Sequence, residues 1–308
     1  MNEPISFPQP PQISEEEWEA CRESGDYCPI SFEWYKFVGA ACAFVAHIQI
    51  DSPALREIPA VHYAVVTGLL NRCARLMLSN LALSHEGKFG ETTAIVDRCI
   101  FESAIKLMWL CHGDEASDRF LRYLADGLRT ELELKKKISD AISQRGAMVA
   151  IEKRMLACID RHISCAGLTD REVEQARKLP NLAAMIESLG QDRLTYIVGQ
   201  RLGSHHIHGT WPSLVMHYLE HSDDGTFNLR GHDCDTHVNQ YVVIPHLVLE
   251  AMGNFVCFIM AEQEDVLSMT QLFESIQKEI QRVLKVIAEG DWDIVERADP
   301  NSPQRAVD

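Results

Sequence analysis

The stretch of the chain best equipped for chemistry is Tyr196–Gly209, which reads Tyr-Ile-Val-Gly-Gln-Arg-Leu-Gly-Ser-His-His-Ile-His-Gly. Successive residues of an ideal helix lie about 100° apart. Arg201, Ser204, His205 and His208 then share one face, at offsets of three, four and seven, and His206 points elsewhere. Gly209 is a natural helix terminator. A guanidinium and one or two imidazoles therefore converge near a helix C-terminus. The carbonyls there favour the imidazolium and raise a histidine pKa, whereas a neighbouring arginine lowers it. The expected product is an acid or base poised near neutrality, beside an arginine able to hold a phosphate through a bidentate contact. The competing reading is structural: histidines at helix ends often only cap carbonyls.

Two further groups carry charge into helices. Arg98 and Glu102 are four apart, on one helix face, within a run that includes Ile95, Ile100, Phe101, Ile105, Leu107 and Trp109. That setting predicts a buried ion pair, which is costly to desolvate and a weak source of stability. It is therefore read either as a structural pair or as a device that orients Arg201 and His208. Arg119, Arg122 and Tyr123 are candidate phosphate contacts, against the plainer reading of a solvated helix face. His205 and His206 are the remaining candidate substrate contacts.

The Arg201 segment resembles the arginine–(four to six residues)–histidine motif of the HEPN superfamily, helical proteins of prokaryotic toxins and antiviral defence systems. Arg201 with His206 and Arg201 with His208 both satisfy the spacing; helical geometry favours His208. The pattern departs from the family's at Leu202, where a polar residue is usual. A wider resemblance, over about residues 60–260, is to a bacterial helical family of unknown function. It is carried by Arg98-Cys99-Ile100-Phe101-Glu102-Ser103, by Arg119-Phe120-Leu121-Arg122-Tyr123, and by Tyr196 through Ser204 to His208-Gly209. The HEPN resemblance implies a metal-independent RNA endonuclease without a cofactor, a toxin or antiviral-defence effector acting as a homodimer. His208 would be the acid or base at the ribose 2'-hydroxyl, Arg201 the stabiliser of phosphate charge, and Ser204, Glu102 and Arg98 the support.

Two other function classes compete. One is a non-catalytic helical interaction or sensor protein, in which the same residues form a polar network or a ligand pocket. The other is a metal-dependent hydrolase. Eight of the thirteen histidines fall between 205 and 246. His217 and His221, four apart on an expected helix, suit two metal ligands. His232, Asp233, Cys234, Asp235 and His237 follow on a loop, but no selective signature such as His-Glu-x-x-His is present, and no metal is expected.

Composition narrows the field. A formal net charge of -16 argues against a groove for duplex DNA, whose binding depends on neutralising phosphates, though a local basic pocket remains compatible with it. The ten cysteines have no regular spacing and no Cys-x-x-Cys pair, so they read as free thiols in a reducing, cytoplasmic setting. The N-terminus lacks the basic and apolar regions of a secretory signal. Val238–Met260, the best membrane candidate, is broken by His246, Glu250 and Asn254 and reads as a buried core helix, so no membrane partner is expected.

The elements that must position these groups are helices. Period-2 alternation is nearly absent, with only Thr226–Leu229 as a short strand candidate. Apolar periodicity predicts helices over 32–50, 61–83, 92–111, 117–143, 148–165, 170–178, 181–189, 191–208, 212–221, 237–264 and 269–289, after a short one that starts with a capping box at Ser14 and Glu17. The expected fold is all-α: a multi-helix bundle with a single core over 31–290, an irregular proline-rich extension over 1–30, and a disordered tail over 291–308.

Overall fold

The structure is a computed structural model, which describes residues 6–84, 89–113, 116–231, 234–238 and 240–289. The expected tail lies outside the described residues. The fold is all-α, as the patterning predicts. The elements are α1 (Glu15–Ser24), α2 (Cys28–Val45), α3 (Ala60–Leu83), α4 (Gly90–Cys111), α5 (Ala116–Arg145), α6 (Ala150–Cys165), α7 (Asp170–Gln175) and α8 (Leu182–Ser188). Then come α9 (Arg193–Tyr196), a π-helical segment (Ile197–Leu202), α10 (Gly203–His208), α11 (Trp211–His217), strands β1 (Leu219–His221) and β2 (Phe227–Leu229), α12 (Gln240–Ile259) and α13 (Gln263–Glu289).

Local chemistry sets many of the ends. The Ser14 hydroxyl accepts the Glu17 amide while Glu17 reaches back to the Ser14 amide, and Gly25 closes α1 in the left-handed conformation. Thr169 and Glu172 repeat that reciprocal cap on α7. Helix α2 begins four residues before the expected position, because Pro29 fits a helix's first turn, where no amide hydrogen is needed. The helix expected over 212–221 stops at His217, and Leu219–His221 pairs antiparallel with Phe227–Leu229 instead. His217 and His221 therefore do not share a helix, so the four-residue helical spacing expected of two metal ligands is not formed.

Helices α4 and α12 form the centre. Helix α4 packs against α3, α12, α8 and α10, and α12 also packs on α2 and α13. Leu70, Met77, Ile100, Ile105, Met108, Val248, Met252 and Phe255 meet there with almost no exposure. Helix α12 is long and apolar enough to cross a membrane by length and composition, and 67% of its most apolar window is buried inside the fold. The N-terminal extension is irregular but packed: the Phe7 ring meets Phe37 and Phe44 edge-on. A satellite cluster of Ala125, Leu128, Leu132, Ile159, Ile163 and Val173 joins α5, α6 and α7 beside the single main core.

The start of α4 is fixed by backbone contact. The Gly90 amide donates to the Cys234 carbonyl at 2.9 Å, and a Cβ on Gly90 would lie 2.5 Å from the Asp235 carbonyl oxygen. Neither backbone can yield without moving an element. Gly90→Ala is expected to cost about 1–3 kcal/mol, as overpacking does, read as a lowered denaturation midpoint with an unchanged helical spectrum.

Candidate active site

The segment around Arg201 is not one continuous α-helix. Asp192 caps α9 through the Leu194 amide, the π-helical turn follows, and α10 ends at Gly209 with φ 52°. Two glycines four apart, Gly199 and Gly203, let this segment lie directly on α4. A Cβ on Gly199 would overlap the Phe101 ring, and one on Gly203 would lie 3.2 Å from the Arg98 Cβ. That Gly-x-x-x-Gly spacing is a signal for close helix contact that the reading of Arg201 and its histidines passes over. The π turn inserts extra backbone where the contact is tightest, a device frequent at functional sites.

The face turned to α4 is thus that of Gly199, Gly203 and His206, whereas Arg201, in the π-helical segment, and His208, in α10, are both exposed. Ser204 sits at the boundary. Its hydroxyl donates to the Gln200 carbonyl at 2.7 Å and accepts from the Arg98 Nε–H at 3.2 Å. Arg98 therefore grips the segment midway between Arg201 and His208. His205 shares its Nδ1 with the Thr210 hydroxyl at 2.6 Å, which ties the helix end to the turn after it.

The expected Arg98–Glu102 pair is not what the fold makes. Glu102 accepts from Lys106 at 2.6 Å, and its side chain is about a third exposed. Glutamate followed by lysine four residues on is the favoured orientation on a helix, and Arg98 is drawn across to α10. Nothing among the described contacts joins Glu102 to Arg201 or His208. The arginines of α5 are likewise committed. Arg119 donates to the carbonyls of Trp109 and His112 and lies over the Trp109 ring, so it caps the end of α4. Arg122 pairs with Asp118 at 2.7 Å. Tyr123 faces a separate cleft with Lys106, Glu131 and His162, and burial raises its phenol above the ordinary value.

Behind the Arg201 segment is a cavity of about 450 Å³. Its walls include Phe101, Val198, Leu202, Met216, Val243 and Ile244; its polar groups include Asp97, Arg98, His206, His217 and Gln240. The rings of His206 and His217 meet edge-on at 5.0 Å. Burial holds His206 below its ordinary pKa, partly offset by the carboxylate of Glu91. Burial would raise Glu91, but hydrogen bonds from Ser213 and Tyr218 and the two imidazoles hold it below the usual carboxylate value. Among the described residues no group of three or more His, Cys, Asp or Glu is placed to hold a metal; His232 and Asp233 lie outside them.

Asp97 is the site residue that sequence reasoning missed. It is buried, and it accepts from Asn80 at 2.6 Å and from Gln240 at 2.7 Å, with Tyr35 alongside. Burial pushes its carboxyl up to about 7 against the pull of these three donors. The sequence signal was the one aspartate of α4, set among Ile95, Val96 and Ile100. Because the unfolded chain loses this proton near pH 4 and the fold keeps it to about 7, the group's contribution to stability is full below pH 4 and is lost as pH rises to 7. Three pKa units correspond to about 4 kcal/mol at most. Denaturant titrations from pH 4 to 8 are expected to show this fall in the wild type and a flatter profile in Asp97→Asn.

A helical bundle that presents an arginine–histidine helix end on its central helix is the class defined by this geometry. Residues 63–226, more than half of the chain, match a family of unknown function (DUF5677), and the chain belongs to that family. No curated protein and no solved structure gives a match.

Proposed function

We propose that the protein is a metal-independent RNA endonuclease whose working surface is the exposed face of the π-helical segment and α10. The observation that supports this reading is that Arg201 and His208 are both exposed and stand on either side of Ser204, which Arg98 grips. An exposed pair suits a polymer, which cannot enter a closed cavity. His208 takes the proton of a ribose 2'-hydroxyl as its oxygen attacks the adjacent phosphorus. Arg201 stabilises the charge growing on the non-bridging oxygens. The 5'-oxygen leaves and receives the proton, so the products end in a 2',3'-cyclic phosphate and a 5'-hydroxyl. With a net charge of -16, contact with RNA is local rather than along an extended groove. Large apolar side chains are exposed around the segment, among them Leu194, Val198, Leu202, Trp211 and Leu229. They support a homodimer that brings two such motifs to one cleft, in keeping with the HEPN resemblance.

The same apolar belt favours a second reading, a non-catalytic interaction protein. Incubation with a mixed RNA pool in the presence of a chelator separates the two. Fragmentation is expected from the nuclease; RNA left intact across salt, pH and temperature leaves the interaction reading.

A further inference from the structure

The cavity between α4, the Arg201 segment and the start of α12 has a composition unlike that of a packing defect. Its lining comes from α4, the Arg201 segment, α11 and α12 and is mostly apolar, yet it includes Arg98 and the hydrogen-bonded Asp97. We propose that it is a binding site for a small apolar monocarboxylate, whose carboxylate pairs with Arg98 and whose hydrocarbon body lies against Phe101, Leu202, Met216 and Val243.

Four observations carry this. First, the volume of about 450 Å³ falls within the range of small-molecule sites, about 300–1,000 Å³. Second, the lining is mostly apolar with few polar groups, the pattern that fixes a ligand's orientation while burying its body. Third, the only hydrogen bond made by Arg98 among the described residues is from its Nε to Ser204. Its two terminal nitrogens are left with four N–H donors, in the fork that matches a carboxylate. Fourth, of the two carboxylates in the lining, Asp97 and Asp235, the one beside Arg98 in the chain, Asp97, is already held by Asn80 and Gln240, and burial favours its neutral form. It therefore neither neutralises Arg98 by an ion pair nor strongly repels an anion at or below neutral pH. The imidazole of His206 is held toward its neutral form by burial, and Arg98 is the one Lys or Arg side chain among the lining residues, so it is the group proposed to select the charge of the ligand.

Val198, Leu202 and His206 line the cavity from the segment whose other side carries Arg201 and His208. An occupant therefore bears on the position of that side. This consequence rests on the nuclease reading, whereas binding itself does not.

The test uses the full chain with octanoate and 4-phenylbutyrate as probes, each compared with its alcohol, by calorimetry and thermal denaturation at pH 6.5. Saturable binding of a carboxylate, at least tenfold tighter than that of its alcohol, is expected. Arg98→Gln should erase the preference for the acid. Since that change also loosens Ser204, Ala94→Phe serves as a second variant: Ala94 lines the cavity, and the added ring fills it while Arg98 stays in place. It should abolish binding of both acid and alcohol with the helical spectrum unchanged. The proposal is overturned if neither acid binds saturably, if acid and alcohol bind alike, or if Ala94→Phe binds as the wild type does. RNA cleavage is measured separately with and without octanoate, so loss of the nuclease reading leaves the binding result standing.

Discussion

His208→Ala and Arg201→Ala are each expected to reduce RNA cleavage to background while the protein keeps its helical spectrum and melting point. General acid–base catalysis contributes about two to four decades of rate, and one charge-stabilising donor about two to three. Both side chains are exposed, and exposed substitutions away from caps and cores usually change stability by less than about 0.5 kcal/mol. Activity and stability therefore separate cleanly at these two positions. His206→Ala is expected to be milder in cleavage, because His206 faces the cavity and not the exposed side. Glu102→Ala should cost well under about 1 kcal/mol, as removal of a partly exposed ion pair with Lys106 does. Cleavage by His208→Ala at the wild-type rate would remove the histidine from the mechanism.

The second large effect is expected at Gly199. A Cβ there overlaps the ring of Phe101, which is itself buried in the main core. Gly199→Ala must push the ring into the core or lift the segment from α4. Overpacking of this kind costs about 1–3 kcal/mol. Lifting the segment also weakens the 3.2 Å contact between Arg98 and Ser204, so cleavage should fall along with stability. Phe101→Leu, combined with Gly199→Ala, removes the ring atoms that collide and should recover part of both. The interaction energy between the two changes is then positive for folding, which a double-mutant cycle reads directly. Equal stability of wild type and Gly199→Ala would mean that the segment does not rest on Phe101.

The all-helical class was legible in the sequence because periodicity and end signals are local. Ser14 with Glu17, Thr169 before α7, and Gly209 act within a turn of their own helix, and the ends of α3, α4 and α6 follow the apolar stripes closely. The candidate site was legible only in part. Periodicity gives which residues share a face, not which face turns inward. Arg201 and His208 are both exposed, and only packing against α4 decides that Gly199, Gly203 and His206 are the inner set. The π turn depends on that same tertiary contact, so no single-helix pattern contains it. The partner of Arg98 could not be read from spacing either. Glu102 stands four residues from both Arg98 and Lys106 on α4, but it pairs with Lys106, in the orientation favoured on a helix, and the Arg98 side chain crosses to Ser204, more than a hundred residues away. Asp97 escaped for the opposite reason: one aspartate in an apolar helix acquires meaning only when Asn80, Tyr35 and Gln240 arrive from three other helices.

The most direct measurement compares a mixed RNA pool with its 2'-O-methyl counterpart, both incubated with the wild-type chain in chelator, with fragment ends read by mass spectrometry. The account predicts cleavage of the unmodified pool alone, with fragments ending in 2',3'-cyclic phosphate and 5'-hydroxyl groups, because the 2'-hydroxyl is the nucleophile. An intact unmodified pool, or fragments of both pools ending in 3'-hydroxyl groups, would contradict it.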